Sequence, residues 1–233
     1  MKDYAPRIRL TQAEHDSILK LRQVNNVLVI GDIHEPFCLD GYLDFCLEQY
    51  NRFNCNKVVF IGDVIDNHYS SFHGTDPNGF GGGYELKKAI EGLKKWHDAF
   101  PNAYVTIGNH DRIIYRKAFA AGVPKEWIVE YKDVLETPTW KYVDHIEIDD
   151  ILYIHGEGGT ARTAMRNHNK SIVQGHLHTQ KYIEFNGDNF GMQVGCGIDD
   201  SAYAFAYAKY GKKSALGCAV VLDNGKLPIN IVM

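Results

Sequence analysis

Apolar positions in the first half of the chain follow two rhythms. Val27–Ile30, Lys57–Ile61 and Ala103–Ile107 are short runs rich in branched side chains, the pattern of strands buried on both faces. Between them, Leu39, Tyr42, Leu43, Cys46 and Tyr50 recur at helical spacing. Leu86, Ala89, Ile90, Leu93 and Phe100 mark a long amphipathic helix, with Glu91 and Lys95 as an i,i+4 pair. Upstream, Thr11 and Glu14 form a capping box that opens a predicted helix through about Gln23. Arg112–Ala121 and Pro124–Leu135 also read as helices, Pro124 suiting a first turn. Beyond Pro138 the rhythm shortens. Tyr142–Ile148, Ile151–Ile154, Ser171–Gln174, Lys181–Phe185, Met192–Val194, Gly217–Leu222 and Ile229–Val232 all read as strands. An α/β half followed by a β-rich half predicts two sheets covered by helices.

The length, 233 residues, suits one domain over 1–233, with the helix at about 11–23 as an appendage. Apolar residues at 45% and charged residues at 23% exclude a disordered or coiled-coil chain. Leu10–Arg22 resembles the first helix of a helix-turn-helix, but a strand follows it where the second helix should be. The net charge of −4 argues against holding nucleic acid by bulk charge. Met1–Leu10 has no apolar core of a secretory signal, and no apolar run is long enough to cross a bilayer. Five cysteines without CxxC spacing exclude a zinc ribbon and a disulfide framework, so a cytoplasmic setting is expected.

The 11 histidines change the picture. Each of the first three strands ends in a polar burst: Gly31-Asp32-Ile33-His34, Gly62-Asp63-Val64-Ile65-Asp66 and Gly108-Asn109-His110-Asp111. His155-Gly156 and Gly175-His176-Leu177-His178 end two later ones. Ligands of open α/β sheets gather at the carboxyl ends of strands. Pooled, these ends supply Asp32, His34, Asp63, Asn109, His155, His176 and His178, a nitrogen and oxygen donor set without thiolate. Any one of them alone is an ordinary turn residue. Seven together are costly to pack without a cation, too many for one tetrahedral site, and suited to two divalent ions sharing a carboxylate. Two such ions against two aspartates leave a local charge of about +2, or +1 with hydroxide, which is a trap for a phosphate ester.

The ordered series DxH, GDxxD, GNHD, HG, GHxH, running from Asp32 to His178, resembles the calcineurin-like metallophosphoesterase superfamily. The resemblance implies a four-layer αββα sandwich of two mixed sheets flanked by helices. It implies that Asp32, His34 and His178 hold one ion and Asn109, His155 and His176 the other, with Asp63 bridging. His110 would stabilise or protonate the leaving group, oriented by the Asp66 carboxylate, and a metal-bridging hydroxide would attack phosphorus. The alternative for Asp66 is a helix N-cap. The ions would be Mn first, with Fe, Zn, Ni or Mg as other fits.

Two departures bear on substrate. Asp66 is followed by Asn67-His68-Tyr69 where protein phosphatases of this superfamily have Arg-Gly, and the third motif ends in Asp111 where they have Glu. The variation looks like that of short phosphodiesterase and nuclease-like members, including phage and bacterial ones. The expected activity is therefore a phosphodiesterase acting on a nucleotide or nucleic-acid-derived ester. The alternatives are a phosphomonoesterase such as a Ser/Thr phosphoprotein phosphatase, and a catalytically silent metal- and phosphate-binding module. Arg112, Asn67, His68 and Arg162 are the candidates for touching substrate, although solvated helix faces are the favoured account of Arg112, Arg162 and Arg166. The glycine-rich stretch 67–83 reads as either a substrate gate or a solvated insertion. His68 and His73 are not needed as ligands. Tyr203, Tyr207 and Tyr210, with Phe205 between them, are expected to pack against a sheet rather than stack a base.

Overall fold

A computed structural model describes residues 10–21, 24–72, 75–208 and 213–233. The first half comprises α1 (Gln12–Leu21), β1 (Val27–Ile30), α2 (Tyr42–Arg52), β2 (Lys57–Phe60), α3 (Gly82–Ala99), β3 (Tyr104–Thr106), α4 (Ile113–Ala120), α5 (Tyr131–Val134) and β4 (Lys141–Val143). The second comprises β5 (His145–Ile148), β6 (Ile151–Ile154), α6 (Ala161–His168), β7 (Ser171–Gln174), β8 (Tyr182–Asn186), β9 (Asn189–Gln193), β10 (Gly217–Leu222) and β11 (Leu227–Val232). The capping box forms at α1, where the Thr11 N–H donates to Glu14 at 2.8 Å and the Glu14 N–H returns to the Thr11 hydroxyl at 3.2 Å. The predicted end of that helix at Gln23 lies outside the described residues.

Two mixed sheets face each other. The first has the order β11-β10-β1-β2-β3-β4, with β1 through β4 parallel and β10 antiparallel to β1. The second has the order β5-β6-β7-β9-β8, with β6, β7 and β9 parallel. The alternation of side chains along a strand divides each apolar run between two cores. Leu28, Ile30, Val58 and Phe60 face the helices, packing with Tyr42, Leu93 and Trp96. Val27, Val29, Val59 and Ile61 face the other sheet, meeting Tyr153, Val173 and Met192. Ala161 and Met165 of α6 are buried, and Gly191 in β9 lets that helix come close: a Cβ there would meet the Ala161 carbonyl. The layers are thus helix, sheet, sheet, helix. No described helix is long and apolar enough to cross a membrane.

Two expectations are corrected. The helix expected over Pro124–Leu135 is a 3-10 turn at Lys125–Trp127 followed by the single turn α5. Ile128 is extended (φ −103°, ψ 130°), and the Val129 carbonyl accepts the Tyr115 hydroxyl at 3.1 Å, so the helical ladder is interrupted. The strand expected over Tyr142–Ile148 is two strands. β4 pairs with β3 as far as Val143, and after Asp144 the chain crosses to pair as β5 with β6 in the second sheet.

The carboxyl end of β1 is pinned from the helix layer. The buried Tyr42 hydroxyl donates to the Gly217 carbonyl at 2.9 Å and accepts the Gly31 N–H at 3.2 Å. Gly197 has to be glycine here, because a Cβ would run into the Tyr42 ring. Tyr42→Phe strips both backbone groups of a partner, and urea unfolding should show a loss of about 1–3 kcal/mol. An unchanged midpoint would show that the bonds carry no net stability.

Candidate metal centre

Five parallel strands deliver the seven ligand-type side chains to one place. Asp32 and His34 follow β1, Asp63 follows β2, Asn109 follows β3, His155 follows β6, and His176 and His178 follow β7. The turns that aim them are sharp. His34, Asp63 and His176 are left-handed, with φ of 47°, 48° and 70°. Such backbone costs of order 1 kcal/mol or more per residue and persists only where its surroundings over-determine it.

Among the described residues three groups of side chains result, each with ligand atoms within 4.8 Å of one another; Asp63 belongs to two of them, and His34, Asp66 and His110 form the third. In the first, the nitrogens His34 Nε2 and His178 Nε2 stand 3.2 Å apart, and Asp32 Oδ2 lies 3.0 Å from His178 Nε2. In the second, His155 Nε2 lies 3.2 Å from Asp63 Oδ2 and 3.0 Å from Asn109 Oδ1, with His176 completing the group. One Asp63 oxygen, Oδ1, accepts the His110 N–H at 2.8 Å. That leaves Oδ2 facing both His155 and His34, the latter at 3.6 Å.

The protonation pattern makes these arrangements fit cations. His34 Nδ1 donates to Asp66 Oδ1 at 2.6 Å, and His155 Nδ1 donates to the Ile61 carbonyl at 2.9 Å. With the proton on Nδ1, each Nε2 turns a lone pair toward carboxylate or amide oxygens that are also acceptors. Acceptors crowded against acceptors need a positive charge between them, and hard oxygen with imidazole donors suits a divalent ion.

The model of calcineurin-like phosphoesterases matches residues 26–195, most of the chain and every motif above. The chain belongs to this family. Among solved structures it is similar to vacuolar protein sorting 29 from Cryptosporidium parvum, at 15% identity over 85% of each chain with a TM-score of 0.48. It is also similar to the E. coli phosphoesterase YfcE, at 15% identity over 89% of this chain and 98% of that one, with a TM-score of 0.45. A predicted phosphoesterase from Streptococcus pneumoniae TIGR4 shares 16% identity over 86% and 83% of the two chains, with a TM-score of 0.38. No curated protein matches.

Around the centre of this calcineurin-like chain, partners differ from expectation in one respect. The Asp66 carboxylate goes to His34; its distance to His110 Nδ1 is 3.4 Å. His110 Nδ1 instead donates to the Asp66 main-chain carbonyl at 2.6 Å. Asn67, left-handed at φ 54°, donates its amide to the His110 carbonyl at 2.9 Å. Burial alone would keep His110 neutral, but Asp66 and Asp63 push it up to about 10. Burial likewise opposes charge on His155, and Asp63 beside it pushes it up to about 10. That upward push at His155 reflects the same excess of acceptor charge that a cation there would answer.

Other candidates are placed elsewhere. Arg112 pairs with Glu157 at 2.7 Å and Asp144 at 2.9 Å. Arg162 and Arg166 both pair with Glu184 on β8. His68 Nε2 accepts the Asp76 N–H at 3.3 Å and joins no ligand group among the described residues. His73, the Tyr207 side chain and Tyr210 lie outside the described residues. Segment 67–83 is anchored at both ends: Glu85 accepts the His68 and Tyr69 N–H groups, and the Phe80 N–H donates to the Tyr203 hydroxyl at 2.8 Å. Tyr203 packs edge-on against Phe37, and Phe205 against His34.

Sequence reasoning missed Asp111 and Glu35. Trp96 donates to Glu35 at 3.0 Å, and burial pushes that carboxyl up to about 7. The Asp111 carboxylate accepts four N–H groups: Asp63 (2.9 Å), Val64 (3.1 Å), Ile65 (3.3 Å) and Gly108 (2.8 Å). An acid directly after GNH, one turn from the glycine, was the available signal. Asp111→Asn would aim an amide N–H₂ at backbone donors, and thermal unfolding should show a loss of roughly 2–4 kcal/mol. Titration calorimetry with Mn²⁺ should show affinity weakened roughly 10–100-fold, because the backbone under Asp63 is released. Wild-type affinity would show that Asp111 serves stability alone.

Proposed function

We propose that this family member hydrolyses phosphate esters, and that its substrates are phosphodiesters of nucleotide or nucleic-acid origin. The observation that carries the reading is the pair of acceptor-lined groups meeting at Asp63 Oδ2. Asp32, His34 and His178 would hold one divalent ion and Asn109, His155 and His176 the other, with Asp63 between them. Bound there, two divalent ions, Mn first among the candidates, would neutralise phosphoryl oxygens and make water a competent nucleophile near neutral pH.

The chain's own residues supply the rest. Asp66 fixes the His34 tautomer so that Nε2 remains a donor to the ion. His110 is the proposed proton donor. Its Nδ1 is spent on the Asp66 carbonyl, which leaves Nε2, on a ring 22% exposed, to protonate the leaving oxygen. The preference for diesters is supported by Arg112, the cation directly after the third motif. A monoester dianion calls for a free guanidinium, and this one is already held by two carboxylates.

Bis-p-nitrophenyl phosphate should therefore be hydrolysed with added Mn²⁺, and the mono ester little. Preference for the mono ester would overturn the diester reading. Bound metal without turnover on either would favour a silent binding module. Asp63→Asn, which weakens the one oxygen common to both groups, should reduce turnover to background and lose bound Mn²⁺ by calorimetry. Full activity would remove Asp63 from the bridging role. His110→Ala should retain Mn²⁺ and lose roughly 10²–10⁴-fold in kcat. An unchanged kcat would assign the proton donor elsewhere.

A further inference from the structure

We infer that the surface formed by α4 and the 3-10 turn after it, at the rim of the metal centre, binds single-stranded nucleic acid. As a statement about substrate this deepens the phosphodiester reading and rests on it. Between Arg112 and Trp127 the chain carries four cations and one carboxylate, Glu126, within a molecule whose total is −4. Arg112 is neutralised by Asp144 and Glu157. Arg116, Lys117 and Lys125 are exposed, and among the described residues no carboxylate lies within ion-pair distance of them.

Aromatic rings are interleaved with these charges. Phe119 is 84% exposed and Trp127 82%, an extreme for large rings on a water-facing surface. Phe72, also exposed, lies under both the Arg116 guanidinium, at 4.7 Å, and the Lys117 ammonium, at 5.5 Å. Arg112, Tyr115, Arg116, Phe119 and Lys125 share one cavity of about 540 Å³, and Trp127 lines the cavity next to it, the two having Tyr115, Ile128 and Tyr131 in common. Arg112 stands three residues after Asn109 and its partner Glu157 two residues after His155, which ties this cavity to the strand ends that carry the ligand-type residues.

Cations for a backbone, with rings for bases, are the recognition chemistry of a single strand. A duplex offers its phosphates but hides the faces of its bases. A second copy of this chain fits poorly, because a two-fold interface would set three unpaired cations against their own images. An acidic peptide would engage the cations and leave the rings uncovered.

The test is fluorescence anisotropy of a labelled oligothymidylate of about 15 nucleotides, with the full chain in excess chelator so that no turnover occurs. Hydrolysis of bis-p-nitrophenyl phosphate is scored separately, so the two readings fail independently. Saturable binding is expected, with a log–log salt slope of about −2 from three neutralised phosphates. Trp96 and Trp140 are buried, so quenching of the exposed tryptophan emission reports Trp127. A Phe119→Ala/Trp127→Ala variant, its fold checked by circular dichroism, should bind at least roughly tenfold more weakly. Arg116→Glu/Lys125→Glu should weaken binding and flatten the salt slope. Four results would each overturn the inference: no saturable binding, ring variants that bind like wild type, polyglutamate competing as well as the oligonucleotide, or a sedimenting dimer dissociated by Phe119→Glu.

Discussion

Four backbone N–H groups from two strand ends converge on one buried carboxylate, Asp111, and the ligand geometry depends on that knot. Three of the donors are Asp63, Val64 and Ile65, the turn that carries the side chain common to two candidate groups; the fourth is Gly108, which opens the third motif. The knot fixes β2 and β3 relative to each other at the point where each delivers a side chain. It also offsets the left-handed backbone of Asp63, which no β-strand would adopt unaided. The cost appears on Asp111 itself. Burial and the neighbouring Asp63 charge push its carboxyl up to about 6, although its four donors favour the ionised form. A cation at Asp63 would relieve that repulsion, so ion occupancy and the backbone under it are coupled through this one residue.

The sheets make the same demand at larger scale. Because the apolar runs of β1 and β2 are buried on both faces, their strands can only end in polar residues, and those ends open at the edge of both cores. β1, β2 and β3 are parallel in one sheet and β6 and β7 in the other, so five carboxyl ends can meet. The crossover at Asp144 is what allows this. Had Tyr142–Ile148 remained one strand, His155 would follow an extension of the first sheet rather than the strand facing it.

Much of this was legible in the sequence because it is local. A strand end, its glycine and its ligand are adjacent in the chain, so the seven ligand-type residues could be picked out and the five strands that carry them anticipated. What escaped was the choice of side-chain partners across long separations. Asp66 lies one turn of chain from His34 in space but 32 residues away in sequence, and nothing local tells whether its carboxylate takes His34 or His110. Asp111 read only as a departure from a family pattern. The helix expected over Pro124–Leu135 failed for the same reason, since Tyr115 on α4 claims the Val129 carbonyl that the ladder needed.

Histidine tautomers carry this argument to the chemistry. A motif names a histidine but not which nitrogen it presents. Here His34 is settled by a carboxylate and His155 by the carbonyl at the end of β2, each on Nδ1, so both Nε2 atoms face the same oxygen of Asp63. His110 is held through Nδ1 as well, yet its ring belongs to neither ligand group that contains Asp63. In the proposed arrangement its free nitrogen is left to carry a proton. The same constraint, one ring nitrogen tied to the scaffold, would make two of these histidines metal donors and the third the proposed acid. The difference between them is set by where the backbone puts the ring rather than by residue type.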